Sequence, residues 1–138
     1  MNLCPLLDRI DIALHVQPVE YKKMKSGDNN ISTEEMRLDV IKARNAQLER
    51  YCEDGISYNS QLTPVLMKKY CKLDDKSSEL IESAYKSLGM SSRGYHRVIK
   101  LARTIADMEE SRKIEFNHVA EAIQFKSGIE GLKKDAAF

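Results

Sequence analysis

The sequence predicts a mainly α-helical bundle preceded by a single β-strand. Three observations carry this reading. Helix-start signatures recur along the chain: Ser32-Thr33-Glu34-Glu35, Thr63-Pro64, Asp74-Asp75 and Ser91-Ser92. Behind them, apolar residues return at intervals of three and four, the spacing that lines one face of a helix. One stretch alone, Ile12-Ala13-Leu14-His15-Val16, is short, apolar and bounded by Asp11 and Pro18, as a buried strand would be.

The elements follow in order. Residues 1–19 hold the strand, and the polar run over 20–31, with Lys22, Lys23, Lys25, Gly27, Asp28, Asn29 and Asn30, reads as a linker or hinge. Ser32 and Glu35 have capping-box spacing, so a helix begins there. It carries Met36, Val40, Ala43 and Leu48 along one side and ends near Tyr51, before Gly55. Thr63 caps a short helix with Pro64 at its first position, where the missing N–H costs nothing. Asp74 or Asp75 caps the next, with Leu80, Ile81, Ala84, Tyr85 and Leu88 on one face and Gly89 at its end. Ser91 or Ser92 opens a long helix with Tyr95, Val98, Leu101, Ala102, Ile105 and Met108 as its buried stripe. A final helix built on Phe116, Val119, Ala120 and Ile123 is expected to stop near Phe125, so that the bundle spans 32–126 and residues 127–138 form a disordered tail.

Composition narrows the function classes. Apolar residues make up 42% and charged residues 31% of 138 residues, an ordinary globular balance, so one domain with a real core is expected. A net charge of +1 supplies no global field toward nucleic acid or anionic lipid. No apolar run approaches membrane-spanning length, so no membrane partner is expected and the cytoplasm is the expected compartment. Cys4, Cys52 and Cys71 lack the spacing of a zinc site or a disulfide framework, and His15, His96 and His118 fall on separate elements. No metal site is expected, and no Ser/His/Asp or Cys/His set suggests a freestanding hydrolase.

Arginines carry the remaining signal. Arg9 stands just before the expected strand, between Asp8 and Asp11, either as a displayed guanidinium or as part of an ion-pair cluster. Arg93 lies in the first turn of its helix, where the macrodipole disfavours a cation, and Gly94 beside it lacks helix propensity. Such local conflicts gather at functional positions. His96, Arg97, Lys100 and Arg103 extend a basic stretch with no acid between residues 91 and 106. It reads as a solvated or subunit-facing surface, or as a face of helix 92–106 that would make the chain a small DNA- or protein-binding module.

Two segments carry a family resemblance. Pro5-Leu6-Leu7-Asp8-Arg9-Ile10-Asp11 resembles the arginine-finger segment of AAA+ ATPases of the magnesium-chelatase-like group, and Ser91-Ser92-Arg93-Gly94-Tyr95-His96-Arg97-Val98-Ile99-Lys100-Leu101-Ala102-Arg103-Thr104-Ile105-Ala106-Asp107 resembles their sensor-2 helix. Asn59-Ser60-Gln61-Leu62, Tyr70-Cys71-Lys72-Leu73 and His118-Val119-Ala120-Glu121-Ala122-Ile123-Gln124-Phe125 are similar to the C-terminal domain of the ComM type within that group. The resemblance covers roughly residues 5 to 127.

The resemblance implies that the bundle is a lid-type domain and the strand a remnant of an α/β ATPase core. It implies ring-shaped hexamers that bind ATP and Mg²⁺ between subunits and, in some members, branch-migration activity on DNA. Arg9 would act in trans as arginine finger, and Arg93 would sense the nucleotide. The sequence has no G-x-x-x-x-G-K-[ST] loop, so the chain is expected to be a fragment without activity or cofactor of its own, working within a longer ATPase.

Overall fold

A computed structural model of the chain describes residues 9–14, 16–18 and 31–135. Five α-helices follow one another: α1 (Thr33–Arg50), α2 (Pro64–Tyr70), α3 (Asp75–Ser87), α4 (Ser92–Met108) and α5 (Phe116–Asp135), with a short 3₁₀ turn at Asn59–Gln61 after α1. The mainly helical bundle expected from the sequence is therefore present.

Each start has a chemical cause. Ser32 Oγ accepts from the Glu35 amide at 3.2 Å while the Ser32 amide donates to Glu35 Oε2 at 2.8 Å, so two orphan donors are satisfied reciprocally. Thr63 Oγ1 accepts from the Leu66 amide at 3.3 Å, and Asp74 Oδ1 from the Ser77 amide at 2.8 Å. Ser91 Oγ accepts from the Gly94 amide at 3.1 Å. At α5 the cap is less usual: His118 Nδ1 accepts from the Glu115 amide at 2.9 Å. Stops are equally local. Gly89 takes the left-handed conformation after α3 at φ 57°, and Glu110 does so after α4 at φ 55°, a position a side chain seldom occupies.

Helix α4 is the hub, packed on α5, α1 and the 3₁₀ turn, while α3 packs on α5. Val98, Ile99, Ala102, Ile105 and Ala106 from α4 meet Val119 and Ala122 from α5, with Tyr51, Leu62, Ile81 and Ile114 closing the core. Met108, expected in the buried stripe, is exposed at the end of α4.

Three expectations are corrected. No strand occurs among the described residues. Ile12–Leu14 and Val16 have no ladder partner, and Leu14 and Val16 are 70% and 82% exposed. A backbone whose N–H and C=O groups find no neighbouring strand is not a strand, whatever its apolar pattern. His15 lies outside the described residues. Second, α1 outruns the bundle: of its expected stripe only Ala43 is buried, while Met36, Val40 and Leu48 are each about half exposed. Third, α5 continues to Asp135 where a disordered tail was expected from 127. The close approach of Ala13 to Gly128 seats the N-terminal segment against this extension. A Cβ at Gly128 would lie 2.7 Å from the Ala13 carbonyl oxygen. The linker expected over 20–31 lies, apart from Ile31, outside the described residues.

Candidate functional site

The first turn of α4 holds Arg93 exposed, directly after the Ser91 cap, and contains no acidic residue. Four residues on, one turn along the same face, Arg97 reaches the N-terminal segment. Its Nη2 donates to the Arg9 carbonyl at 2.7 Å and to Asp11 Oδ2 at 3.3 Å, and its Nε lies 2.5 Å from Asp11 Oδ1. Asp11 thus pairs with Arg97 rather than with Arg9, so the cluster considered around Arg9 does not form through Asp11. Asp8 lies outside the described residues. The Arg9 residue itself is exposed.

The structure divides the rest of the basic stretch. His96 is half-buried, edge-on to Tyr95 with ring centroids 5.7 Å apart, and Tyr95 in turn meets Tyr85 at 6.3 Å. Lys100 Nζ donates to the Ser60 carbonyl at 2.9 Å. Arg103 is not a surface residue. It is 1% exposed, and its guanidinium donates to Asp107 Oδ1 at 3.1 Å, to the Arg112 carbonyl at 3.0 Å and to the Ser111 carbonyl at 2.6 Å. The reason lies in periodicity: position 103 falls beside Ala102 and Ala106 on the buried face, and a buried guanidinium is tolerable only with such partners. Burial holds the Arg103 pKa below its ordinary value, with the Asp107 charge opposing.

Asp107 is the centre of a polar core that the sequence reading missed. Besides Arg103 it accepts from Arg50 through both guanidinium nitrogens and from Asn59 Nδ2 at 2.9 Å. Asn59 also donates through Nδ2 to Thr104 Oγ1 at 3.0 Å, accepts from the Tyr51 hydroxyl at 2.5 Å, and donates its backbone amide to Gln47 Oε1 at 3.0 Å. For Arg50, burial lowers the pKa but the Asp107 hydrogen bonds outweigh it, and the group is held above its usual value. The signal in the sequence was the i, i+4 pair Arg103/Asp107 at core spacing. The network fixes α4, the helix that carries Arg93, against α1 and the 3₁₀ turn.

Other features carry less. Gly94 is buried, but a Cβ there would meet Ser91 Oγ at 3.5 Å and Lys126 Cε at 3.7 Å, ordinary contacts, so no unusually close approach depends on it. A hollow of about 1300 Å³ lies between α1, α2 and the α4–α5 loop. It mixes Lys42, Lys69 and Lys72 with Glu49, Asp74 and Glu110, and no residue of the Arg93 turn lines it. No group of three His, Cys, Asp or Glu side chains among the described residues could hold a metal ion.

Comparison with known proteins places this arrangement. Residues 30–126 match the family described as magnesium chelatase, subunit ChlI C-terminal. The chain belongs to that family. As a magnesium chelatase C-terminal-type domain it is similar to the competence protein ComM of Haemophilus influenzae, 34% identical over 94% of this chain and 25% of the relative. It is also similar to the uncharacterised protein YifB of Escherichia coli, 28% identical over 89% of this chain and 24% of the relative. A third similarity is to the uncharacterised protein Mb2921c of Mycobacterium bovis, 25% identical over 88% of this chain. The chain spans about a quarter of the length of the curated relatives it matches.

Proposed function

We propose that this domain is the nucleotide-responsive lid of a magnesium-chelatase-like AAA+ ATPase of the ComM type, converting phosphate occupancy into movement of a rigid helical bundle. The observation that carries the proposal is Arg93: an exposed guanidinium in an acid-free first helical turn, on a helix locked from behind by the Arg50–Asp107–Asn59 network. The N-terminal amides of that turn carry the positive end of the helix dipole, so together with the Arg93 charge the turn suits an anion.

ATP with Mg²⁺, when bound by the ATPase, concentrates negative charge on the γ-phosphate oxygens. The residues of this chain fit that charge. A guanidinium is always ionised and offers a planar fork of donors, which suits Arg93 to binding phosphate oxygens and Arg9 to neutralising them from a neighbouring subunit of a hexameric ring. Because α4 is the hub, tilting it moves the whole bundle. ATP and Mg²⁺ are thus proposed cofactors of the longer protein and the other ring subunits its proposed partners, with DNA a further proposed partner on the strength of its likeness to a competence protein.

The competing reading, a DNA- or protein-binding module using the basic face of helix 92–106, has less support. Three of its cations, Arg97, Lys100 and Arg103, are engaged within the chain. The experiment that tests the lid reading is steady-state ATP hydrolysis by the full-length protein carrying Arg93→Ala or Arg9→Ala. Each is expected to lower kcat by 10³-fold or thereabouts, the order typical of an arginine finger, with an unchanged melting temperature. Mixing Arg9→Ala subunits with subunits lacking the nucleotide site should restore part of the turnover, since Arg9 acts in trans. Wild-type turnover in Arg93→Ala would sink the proposal.

A further inference from the structure

We propose that Arg97 is a positioning residue: together with Asp11 it clamps the segment bearing Arg9 to α4, so that Arg9 and Arg93 are carried by one rigid body. The clamp is read from contacts alone, whereas its consequence for turnover rests on the lid reading above.

One guanidinium makes three contacts to three consecutive residues' worth of chain. Nη2 holds the Arg9 carbonyl at 2.7 Å and Asp11 Oδ2 at 3.3 Å, while Nε meets Asp11 Oδ1 at 2.5 Å. This two-pronged grip on a carboxylate fixes orientation as well as distance, which a lysine cannot do. The Arg97 side chain is only 23% exposed, although that of Asp11 is 56% exposed. A second, independent contact lies further along: the Ala13 carbonyl sits where a side chain on Gly128 would be, so the segment is fitted to α5 as well as to α4.

Apolar burial does not explain the placement. Ile10, Ile12, Leu14 and Val16 are 37–82% exposed, and no strand pairs with them among the described residues. Among the described residues, the polar grip of Arg97 and the fit at Gly128 hold the segment where it lies. Arg93 stands one turn before Arg97 on the same helix, about 6 Å along the axis. A tilt of α4 therefore displaces Arg93 and the Arg9 backbone together.

Trypsin provides a direct readout, because it cuts after Arg9 and the bond it attacks contains the carbonyl that Arg97 holds. In the 138-residue chain, cleavage of Arg9–Ile10 is timed by mass spectrometry and normalised to a peptide of residues 5–15, which carries Asp11→Asn wherever the chain does. Arg97→Gln and Asp11→Asn are each expected to speed cleavage by about fivefold or more, and the double variant no further, as for one shared bidentate interaction. Gly128→Ala should also speed it, and Arg97→Lys should fail to restore protection. Equal cleavage in wild type and Arg97→Gln overturns the clamp. In the full-length ATPase, Arg97→Gln is expected to lower kcat with the KM for ATP unchanged. Lost protection with wild-type kcat overturns the positioning role and leaves the clamp standing. Wild-type turnover in Arg9→Ala overturns instead the arginine-finger reading on which that role depends.

Discussion

Arg50 and Asp107, fifty-seven residues apart, close a two-pronged ion pair that ties the end of α1 to the end of α4. The Asp107 carboxylate is fully buried, and Arg103 and Asn59 donate to it as well. Two cations share one anion, so the carboxylate is the member whose loss leaves most uncompensated. Asp107→Ala is expected to cost about 3–5 kcal/mol, the penalty for stranding a buried charge, measured as a shift of the urea midpoint. Replacing Asp107 without destabilisation would show that the network is ornamental.

Tyr51 donates its hydroxyl to Asn59 at 2.5 Å, and both residues are buried. Tyr51→Phe preserves the ring contact with Tyr70 at 5.0 Å and deletes that donor together with a 3.5 Å acceptor contact to Arg50 Nη1. The orphaned Asn59 oxygen should then cost about 1–3 kcal/mol. Thermal unfolding of the pair Tyr51→Phe and Tyr51→Leu separates the hydroxyl from the ring, and a destabilisation confined to the leucine variant would contradict this.

Cys71 supplies a pH signature. Burial pushes its thiol up to about 11, with the Arg103 charge opposing. The folded state keeps the proton to higher pH than the unfolded chain, whose thiols ionise near pH 8.5. Stability from this group is therefore fully present below about pH 8.5 and lost as pH rises toward 11, by about 3 kcal/mol in all. Cys71→Val should flatten that part of the stability–pH curve, and a curve of identical slope in both proteins would refute the assignment.

Ser91 caps the helix that presents Arg93. Ser91→Ala is expected to cost about 1 kcal/mol, and Ser91→Asp to recover it. If the first turn frays in the alanine variant, the ATP turnover proposed for the full-length protein should fall while Asp restores it. Amide exchange at Gly94 reports the fraying directly, and unchanged exchange would count against the cap's role in holding Arg93.

How much of this was legible in the sequence depends on the kind of interaction. Ser32, Thr63, Asp74 and Ser91 announced four helix starts correctly because capping acts over three residues. Ile81, Val98, Ala102 and Val119 fell on the core faces that their spacing assigned. What failed depended on partners distant in the chain. The run Ile12–Val16 has a strand's composition, but pairing is decided by a neighbour, and none is present among the described residues. Met36 and Val40 have a core helix's spacing, but α1 extends past what it packs on. Arg103 was grouped with the surface cations because charge was weighed before position, and Asn59 and Tyr51 gave no sign of a network that closes only in three dimensions.

The guanidinium of Arg103 that grips the Ser111 and Arg112 carbonyls also stiffens the corner between α4 and α5. With that corner braced, the two helices behave as the short and long arms of a crank. Helix α5, 20 residues long, extends about 30 Å, so rotating the braced pair as one body by about 10° about that corner would sweep its far end through about 5 Å. A displacement too small to repack the core is thus magnified at Asp135 into a step as large as a full helical turn.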